Sequence, residues 1–512
     1  MPQLCFDERR LPEPAMPSDI RHETDRPAAA PPRAAIPGVV ILGGAHGTLA
    51  LARSLGARKV PVWLVSDDTP LPGWSRHVSG RFAWPGPRSP DAAGFLQDLA
   101  ARRGLRGALL MAGGDAEVLM AAQAAETLAS DYRVMLPPWE RLKWVCEKPL
   151  LYRRAAELGL RIPLTYEFSS LEQAAAADML FPVVLKPNMG GGGSRFSQAK
   201  VVRADDRAAF LSAYADAAGQ IGIGNVVVQQ LIPGGGECQF SYAALWHEGE
   251  PVAEFTARRT RQYPVEFGYT STFVEVQEVP DAVEAARLLL RSIGHHGLVE
   301  IEFKRDPRDG ELRVLDVNPR PWSWFGLAAA AGIDLGAMMW DLANGRPAPP
   351  ATATPGTAWM YLVRDLVAAA SLGAGRRRAT GGYARSLASV RAWAAFAGDD
   401  PVPGLLDMPL TAWRGVNPRP LGQPEGAPPG KGLQKAPPKQ GERAGRRLAE
   451  QHHRRIHHQP TSHRDHLSFA AGQRTRLDLS AFGQQREQFR DELEPFDEGL
   501  RTQVDAHLEV FF

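Results

Sequence analysis

The sequence predicts a protein of mixed α/β and α+β class, with a parallel-sheet domain first, a region of longer strands next and a disordered tail last. Short apolar runs alternate with helical stretches after Gly38, and strands with alternating apolar residues continue to Asn318. Beyond Gly415, proline, glycine, glutamine, arginine and histidine dominate and apolar periodicity is nearly absent. The 512 residues are enough for roughly three or four domains at about 150 residues each.

Charge and composition favour a small-molecule partner. Lysine plus arginine is 59 and aspartate plus glutamate is 57, so the sequence gives no electrostatic case for binding nucleic acid or a membrane surface. Three cysteines are too few for a disulfide framework, which fits a reducing cytosol. No apolar run approaches the roughly 18 residues of a membrane span, and the first twenty residues lack a signal-peptide pattern. We expect a cytoplasmic protein, and a homo-oligomer is compatible with the sequence.

The first elements indicate a Rossmann-like domain. Residues 1–37 are rich in proline, alanine and arginine without periodicity and are predicted to be a disordered leader. Apolar runs at Val39–Leu42, Val60–Val65 and Ala108–Met111, separated by helical stretches, predict parallel strands with crossover helices over residues 38–137. The turn Gly43-Gly-Ala-His-Gly47 lacks the GxGxxG pattern, which argues against the alternative of an NAD-dependent oxidoreductase.

The strongest local motif is a predicted β-hairpin. Gly297–Phe303 and Glu311–Arg320 alternate like strands and are joined by a turn around Asp309. This register places Glu302 opposite Asp316, with Cβ atoms about 5 Å apart, so the two negative charges need a cation between them. Two carboxylates with the amide oxygen of Asn318 suit Mg²⁺. The alternative is a solvated hairpin face.

A second motif is a strand that ends in a lysine and leads to a glycine loop. Phe181-Pro-Val-Val-Leu-Lys186 is followed by Gly190–Gly193 and Ser194. Consecutive glycines let backbone N–H groups approach an anion, and the lysine adds positive charge, so the arrangement favours phosphate binding. It is not a P-loop, whose lysine follows the glycines. A plain flexible connection is the alternative.

Two further stretches carry weaker signals. The strand that begins at Val226 runs into a break at Pro233-Gly234, as a hinge between two lobes would, and Glu237 follows. Backbone at such a break can bind adenine, and a nearby carboxylate can bind ribose hydroxyls. In a later predicted strand, Arg259 and Arg261 share a face that either clamps a carboxylate or is simply exposed.

In this order, the motifs resemble the ATP-grasp superfamily over Gly38 to Gly345, most closely its carbamoyl-phosphate-synthetase-like and carboxylate-amine ligase branches. The resemblance implies a pre-ATP-grasp domain at 38–137, a two-lobed ATP-grasp domain at 138–345 with a hinge near 229–234, a mixed segment at 346–414 and the tail at 415–512. Many relatives have an acidic residue where Gln230 stands, so ribose binding depends here on Glu237.

The resemblance also implies a role for each motif residue. ATP would be bound by Lys148, Lys186, Gly190, Gly191, Gly192, Gly193, Ser194, Gln230, Leu231 and Glu237. Mg²⁺, with Mn²⁺ as an alternative, would be bound by Glu302, Asp316 and Asn318. Arg320 would be the catalytic residue, contacting phosphate or the acyl intermediate.

The implied activity is that of an ATP-dependent carboxylate-amine ligase. ATP and a small-molecule carboxylate would give an acyl phosphate, which an amine then attacks. Two alternatives stay open: a carboxylase that uses bicarbonate, and a non-catalytic ATP-binding protein.

Overall fold

The computed structural model describes residues 36–68, 71–190, 192, 194–263, 270–365, 383 and 386–416. Nearly all of the predicted leader and tail therefore lies outside the described residues, as do Gly191 and Gly193 of the glycine loop.

The first sheet is parallel and has five strands, in the order β3-β2-β1-β4-β5. Its strands are β1 Val39–Leu42, β2 Val62–Ser66, β3 Gly80–Ala83, β4 Ala108–Ala112 and β5 Tyr132–Val134. The three predicted strands are confirmed. The two edge strands were not predicted, because β3 alternates between half-buried and exposed residues and β5 has only three residues, so neither forms an apolar run.

Helices cover this sheet and continue into the next region. They are α1 His46–Ala57, α2 Ala92–Arg103, α3 Asp115–Gln123, α4 Ala125–Leu128, α5 Trp139–Cys146 and α6 Lys148–Glu157, with a 3₁₀ turn at Leu71–Trp74. The predicted turn at Gly43-Gly44 is present: both glycines have positive φ, +61° and +123°, where a side chain would be strained.

The second sheet is antiparallel and has four strands, in the order β6-β9-β7-β8. The strands are β6 Thr165–Tyr166, β7 Val183–Pro187, β8 Val202–Ala204 and β9 Val226–Gln230, and the helices are α7 Leu171–Ala176, α8 Arg195–Ala199 and α9 Arg207–Ile221, with a 3₁₀ turn at Ile223–Asn225. Phe210 and Tyr214 of α9 pack on its apolar residues. This packing fixes β7, which carries Lys186, against β9, which leads into the predicted hinge.

The third sheet has seven strands, in the order β14-β13-β10-β11-β12-β15-β16. They are β10 Gln239–His247, β11 Glu250–Tyr263, β12 Thr270–Val276, β13 Gly297–Arg305, β14 Leu312–Asn318, β15 Ala358–Met360 and β16 Val390–Trp393. A 3₁₀ turn, Gly236–Cys238, precedes β10, and α10 Pro280–Ser292 covers one face. The segment 346–414, which carries no sequence motif, supplies β15 and β16 and so extends this sheet.

The opposite face of this sheet is apolar at one end and polar at the other. Leu298 of β13 and Leu245 of β10 pack with the first sheet's α1 and with Trp324 in one core cluster. Farther along β13 the same face carries Glu300, Glu302 and Lys304, because side chains alternate along a strand. The polar end of this face is where the candidate site lies.

Two helices follow the hairpin, α11 Gly326–Ala330 and α12 Leu335–Ala343. Gly332 has φ +100° and separates them. The last described helix is α13 Val402–Val416. Within the described ranges, no helix is both long and apolar enough to cross a membrane.

A buried carboxylate joins the C-terminal part of the described chain to the first sheet's region. Asp400, only 1% exposed, accepts hydrogen bonds from Arg53 Nε at 2.9 Å, Ser75 Oγ at 2.7 Å and the Arg76 N–H at 3.0 Å. Its neighbour Asp399 is exposed and contacts only His77 and Arg76 among the described residues. Asp400 therefore holds this segment in place.

We predict that Asp400→Ala lowers the free energy of unfolding by about 3 kcal/mol, because it leaves the largely buried Arg53 without its carboxylate. Urea unfolding measures this. The matched control is Asp399→Ala, which removes a carboxylate that is 69% exposed and should change stability little. Equal effects of the two substitutions would contradict the assigned role of Asp400.

Candidate active site

A cavity of about 530 Å³ lies where the three sheets meet. The first sheet contributes the turns after β1 and β4, the second sheet contributes Lys186 and the end of β9, and the third contributes the polar end of β13 and β14. The carboxyl ends of parallel strands are the usual place for ligands in α/β proteins, so the position of the cavity suits a binding site.

The predicted hairpin forms one wall and has the predicted register. Glu302 is the cross-strand partner of Asp316, and Glu300 is the partner of Asn318. A bulge follows Glu302, because Phe303 pairs with Val314 rather than with Leu315. The alternate residues Val299, Ile301 and Phe303 are buried in the core on the other face. The sheet therefore directs both carboxylates and the Asn318 amide to the cavity.

A separate basic side chain pairs with each of the opposed carboxylates. Arg259 of β11 binds Glu302 and also donates from Nε to Ser271 Oγ at 2.6 Å. Lys148, the first residue of α6, lies with Nζ 3.0 Å from Asp316 Oδ2. Burial disfavours the ammonium, but the charge and hydrogen bond of Asp316 outweigh it and hold the pKa of Lys148 above its ordinary value. The expected cation between the carboxylates is thus partly supplied by the protein.

Asn318 links the carboxylates to Arg320. Its Nδ2 donates to Glu300 at 3.2 Å and to Glu302 at 3.4 Å, while its Oδ1 accepts from Arg320 Nη2 at 3.1 Å. Glu300 also accepts from Ser241 Oγ at 2.9 Å. Burial, followed by the charge of Glu302, raises the pKa of Glu300 to about 7.

Arg320 reaches from this hairpin to the first sheet. Its Nε donates to Asp115, the first residue of α3, which follows β4 and Gly113-Gly114. Burial opposes ionisation of Asp115, but Arg320 lowers its pKa below the ordinary value. The sequence analysis did not identify Asp115, although its position just after a parallel strand was a usable signal.

Glu117, in the same turn of helix, also lines the cavity and was likewise not predicted. Burial, and to a lesser extent the charges of Asp67 and Asp115, raise the pKa of Glu117 to about 7. The turn after β1 lies against it, since a Cβ on Gly43 would lie 2.4 Å from Glu117 Oε1.

Lys186 lines the cavity from β7 and has no hydrogen-bond or ion-pair partner among the described residues. Its ammonium group makes no hydrogen bond or ion pair with any residue that the structure describes, unlike Lys148 across the cavity. Burial, together with the positive charge of Lys148, lowers the pKa of Lys186 to about 8. An anion in the cavity would therefore meet a cation that forms no ion pair with a carboxylate of the described residues.

Of the described residues of the predicted glycine loop, only the first, Gly190, lines the cavity. Gly190 lines the cavity and lies so close to Asp115 that an added Cβ would be 2.1 Å from Asp115 Oδ2. Gly192 is exposed. Ser194 is the N-cap of α8, where its side chain accepts a hydrogen bond from the Ser197 N–H at 3.1 Å. Neither residue is among the described residues that line the cavity. Gly191 and Gly193 lie outside the described residues.

The hinge residues line the cavity, but some of their backbone N–H groups already donate hydrogen bonds within the protein. The N–H groups of Gln230 and Leu231 donate to Leu164 O and Pro182 O, both at 2.9 Å. Glu237 does not reach the cavity in the described structure: its Oε1 accepts from the Gly235 N–H at 2.8 Å and closes the local turn. The hinge strand is where the sequence predicted it. The carboxylate of Glu237, predicted to bind ribose, instead accepts a hydrogen bond from nearby backbone.

The two arginines of β11 do not clamp one carboxylate. Arg259 binds Glu302, while Arg261 binds Asp365 bidentately at 2.8 and 2.9 Å. Irregular pairing of β11 with β12 between Arg258 and Arg261 accompanies this separation. The alternative of an exposed strand face is wrong for Arg259, which is buried.

Many solved structures are similar to the chain, and three of them illustrate the range of enzymes. The L-amino acid ligase from Bacillus licheniformis is 17% identical with a TM-score of 0.51, over 63% of this chain and 79% of that one. The biotin carboxylase domain of 2-oxoglutarate carboxylase from Hydrogenobacter thermophilus, in complex with MgADP, ADP and bicarbonate, is 15% identical with a TM-score of 0.49, over 62% and 73%. N5-carboxyaminoimidazole ribonucleotide synthetase from Thermotoga maritima is 17% identical with a TM-score of 0.44, over 62% and 78%.

No family model and no curated protein sequence matches the chain. At 17% identity, the similarity to the L-amino acid ligase establishes the fold rather than the reaction. The chain therefore shares the fold of this ligase over the matched residues, and the predicted mixed α/β class is confirmed.

Proposed function

We propose that the protein is an ATP- and Mg²⁺-dependent ligase that activates a carboxylate as an acyl phosphate for attack by an amine. The observation that carries the proposal is the pair of opposed carboxylates, Glu302 and Asp316, in one cavity with the unpaired ammonium of Lys186. Carboxylates that can hold a divalent cation, facing a cation that can hold phosphate, suit a metal-nucleotide complex. The similar L-amino acid ligase supports a substrate class, amino acids, that supplies both the carboxylate and the amine.

The donor atoms at the hairpin fit Mg²⁺. Glu302, Asp316 and Asn318 present carboxylate and amide oxygens, the ligands that a hard cation prefers. Within the described ranges, no group of three or more His, Cys, Asp and Glu residues is placed to hold an ion alone. Mg²⁺ usually takes one or two carboxylates and completes its shell with water and phosphate oxygens, so this set suits an ion that arrives with a nucleotide.

For the nucleotide, we propose the ligands that the sequence suggested. Lys148, Lys186 and the glycine loop with Ser194 would bind the phosphates, and backbone near Gln230 and Leu231 would bind adenine. Because the N–H groups of Gln230 and Leu231 already donate elsewhere, adenine would meet their carbonyl oxygens or the N–H of the next residue. We propose the corresponding division into a pre-ATP-grasp domain at 38–137 and a two-lobed ATP-grasp domain at 138–345.

The proposed reaction needs charge neutralisation and no protein nucleophile. An oxygen of the substrate carboxylate attacks the γ-phosphorus of ATP and ADP leaves, after which the amine nitrogen attacks the acyl carbon and phosphate leaves. The bound Mg²⁺ supplies charge neutralisation at the phosphates. Arg320, held by Asp115 and Asn318, presents its guanidinium to oxygen that gains negative charge, and Lys148 and Lys186 hold the phosphates in place.

We predict that Asp316→Ala lowers Mg²⁺-dependent ADP release by at least about 100-fold, because it removes one of the two opposed carboxylates. ADP release is measured over a panel of carboxylates crossed with amines, with bicarbonate as a separate arm. Asp316→Asn keeps the side-chain shape beside Lys148 and should be equally inactive but folded, as circular dichroism would verify.

The matched control is Asp309→Ala in the turn of the same hairpin, where the carboxylate is exposed and pairs with Arg313. This variant should keep the wild-type rate. Full activity of the Asp316 variants would contradict the metal assignment. ADP release that requires bicarbonate and no amine would instead establish the carboxylase alternative.

We also predict that nucleotide binding takes up protons near pH 8. Burial and the positive charge of Lys148 lower the pKa of Lys186 to about 8. The carboxylates of Asp316 and Glu302 raise this pKa in part, and the positive charge of Lys304 lowers it further. Phosphate favours the ammonium form, so ATP affinity should be constant well below pH 8 and fall as the pH rises above it.

Calorimetry in two buffers of different ionisation enthalpy measures this linkage. At pH 8 the wild type should take up about half a proton at Lys186 on binding ATP, and this uptake should disappear in Lys186→Arg, which stays charged. Lys186→Met should weaken ATP binding at pH 7. Equal proton uptake by the wild type and the arginine variant would show that Lys186 does not meet the phosphates.

A further inference from the structure

Two polar side chains in the cavity have no hydrogen-bond partner in the part of the chain that the structure describes, and the proposed phosphate and metal sites do not explain them. Lys304 is 6% exposed and Gln239 is 8% exposed, and both line the cavity. Lys304 makes no hydrogen bond or ion pair with any described residue. The buried Oε1 of Gln239 likewise accepts no hydrogen bond.

These two residues face each other across neighbouring strands. Gln239 of β10 and Lys304 of β13 are cross-strand partners, so their side chains leave the sheet on the same face. Lys304 follows Glu302 by two residues, a displacement of about 7 Å along the strand. The pair therefore lies next to the opposed carboxylates, on the same wall of the cavity as the hairpin's metal-binding oxygens.

An unpartnered buried ammonium and an unpartnered buried amide oxygen both oppose folding. Apolar side chains at these positions would fold more favourably, so the two polar groups fit a ligand that supplies the missing hydrogen bonds.

A sugar hydroxyl supplies both kinds of hydrogen bond. It donates through its O–H, which suits Gln239 Oε1, and accepts through its lone pairs, which suits the Lys304 ammonium. In a nucleotide the ribose lies between the phosphates and the base. Along β13, Lys304 likewise lies between Glu302, at the proposed metal site, and the following turn, where Arg308 Nη2 donates to Oε1 of the hinge residue Gln230 at 3.4 Å. Glu237, which the sequence suggested for the ribose, is bound to its own backbone instead.

We propose that Lys304 and Gln239 bind the ribose hydroxyls of the nucleotide. The inference rests on the proposed ATP site and adds the residues that distinguish a ribonucleotide from its deoxy analogues at that site.

The test is a comparison of dissociation constants by calorimetry for Mg²⁺ complexes of ATP, 2′-deoxyATP, 3′-deoxyATP and inorganic tripolyphosphate. The wild type should bind ATP roughly tenfold or more tightly than at least one deoxy analogue, since a hydrogen bond to a buried charged group is lost. In Lys304→Met and in Gln239→Leu, the ratio of the dissociation constants for the deoxy analogue and for ATP should approach one. Tripolyphosphate carries the phosphate charge without a ribose. Any loss of its affinity in the variants measures the general effect of removing a positive charge.

Arg305→Met is the matched control. It removes a cation from the next position of the same strand, where the side chain points away from the cavity and its guanidinium contacts Asp281 and Gly310. Its preference for ATP over the deoxy analogues should equal that of the wild type.

The outcomes separate the two claims. If the wild type binds ATP and both deoxy analogues equally, or if Lys304→Met and Gln239→Leu keep the wild-type preference, the ribose assignment is overturned while the ATP site stands. If the wild type binds no nucleotide, the proposed function is overturned and the inference with it. Lys304→Met should also melt at a higher temperature than the wild type, because an unpaired buried charge is removed; failure of this variant to fold would show that Lys304 is structural and would contradict the proposal.

Discussion

The site depends on the opposition of two carboxylates across one antiparallel strand pair. Glu302 and Asp316 are brought together by the register of β13 and β14, and the apolar alternation of those strands leaves no other face for them. Two like charges at this separation repel unless cations lie nearby. Arg259 of β11 and Lys148 of α6 meet that need in the described structure, so the negative hairpin face determines where basic side chains of two other elements converge.

The same hairpin is also tied to the first sheet. Arg320, just after β14, binds Asp115 at the carboxyl end of the parallel strands. Two residues later, Trp322 meets α1 so closely that a Cβ on Gly47 would lie 2.1 Å from its carbonyl oxygen. These contacts make the first sheet a wall of the cavity, and they explain why a residue of the parallel-sheet domain helps to position a residue of the proposed catalytic machinery.

Local patterns were enough to predict the hairpin, the strand that ends at Lys186 and the strands β1, β2 and β4, because alternation and short apolar runs are properties of neighbouring residues. Which residues Asp115 and Arg259 bind, and the pairing of Lys304 with Gln239, depend on strand order and on contacts between distant segments, which no local pattern encodes. For Glu237 the local motif led to an expectation that the described structure does not support. Its place in the motif series suggested a ribose ligand, but its carboxylate accepts a hydrogen bond from the backbone N–H two residues earlier.

The central claim is that the opposed carboxylates hold a metal ion together with a nucleotide. Calorimetry of ATP binding to the wild-type protein, once with Mg²⁺ and once with the metal chelated, tests this most directly. The account predicts binding at least about tenfold tighter with Mg²⁺, since without the ion the phosphates would lie beside the oxygens of Glu302 and Asp316 with no metal ion between them. Equal affinity under the two conditions would contradict it.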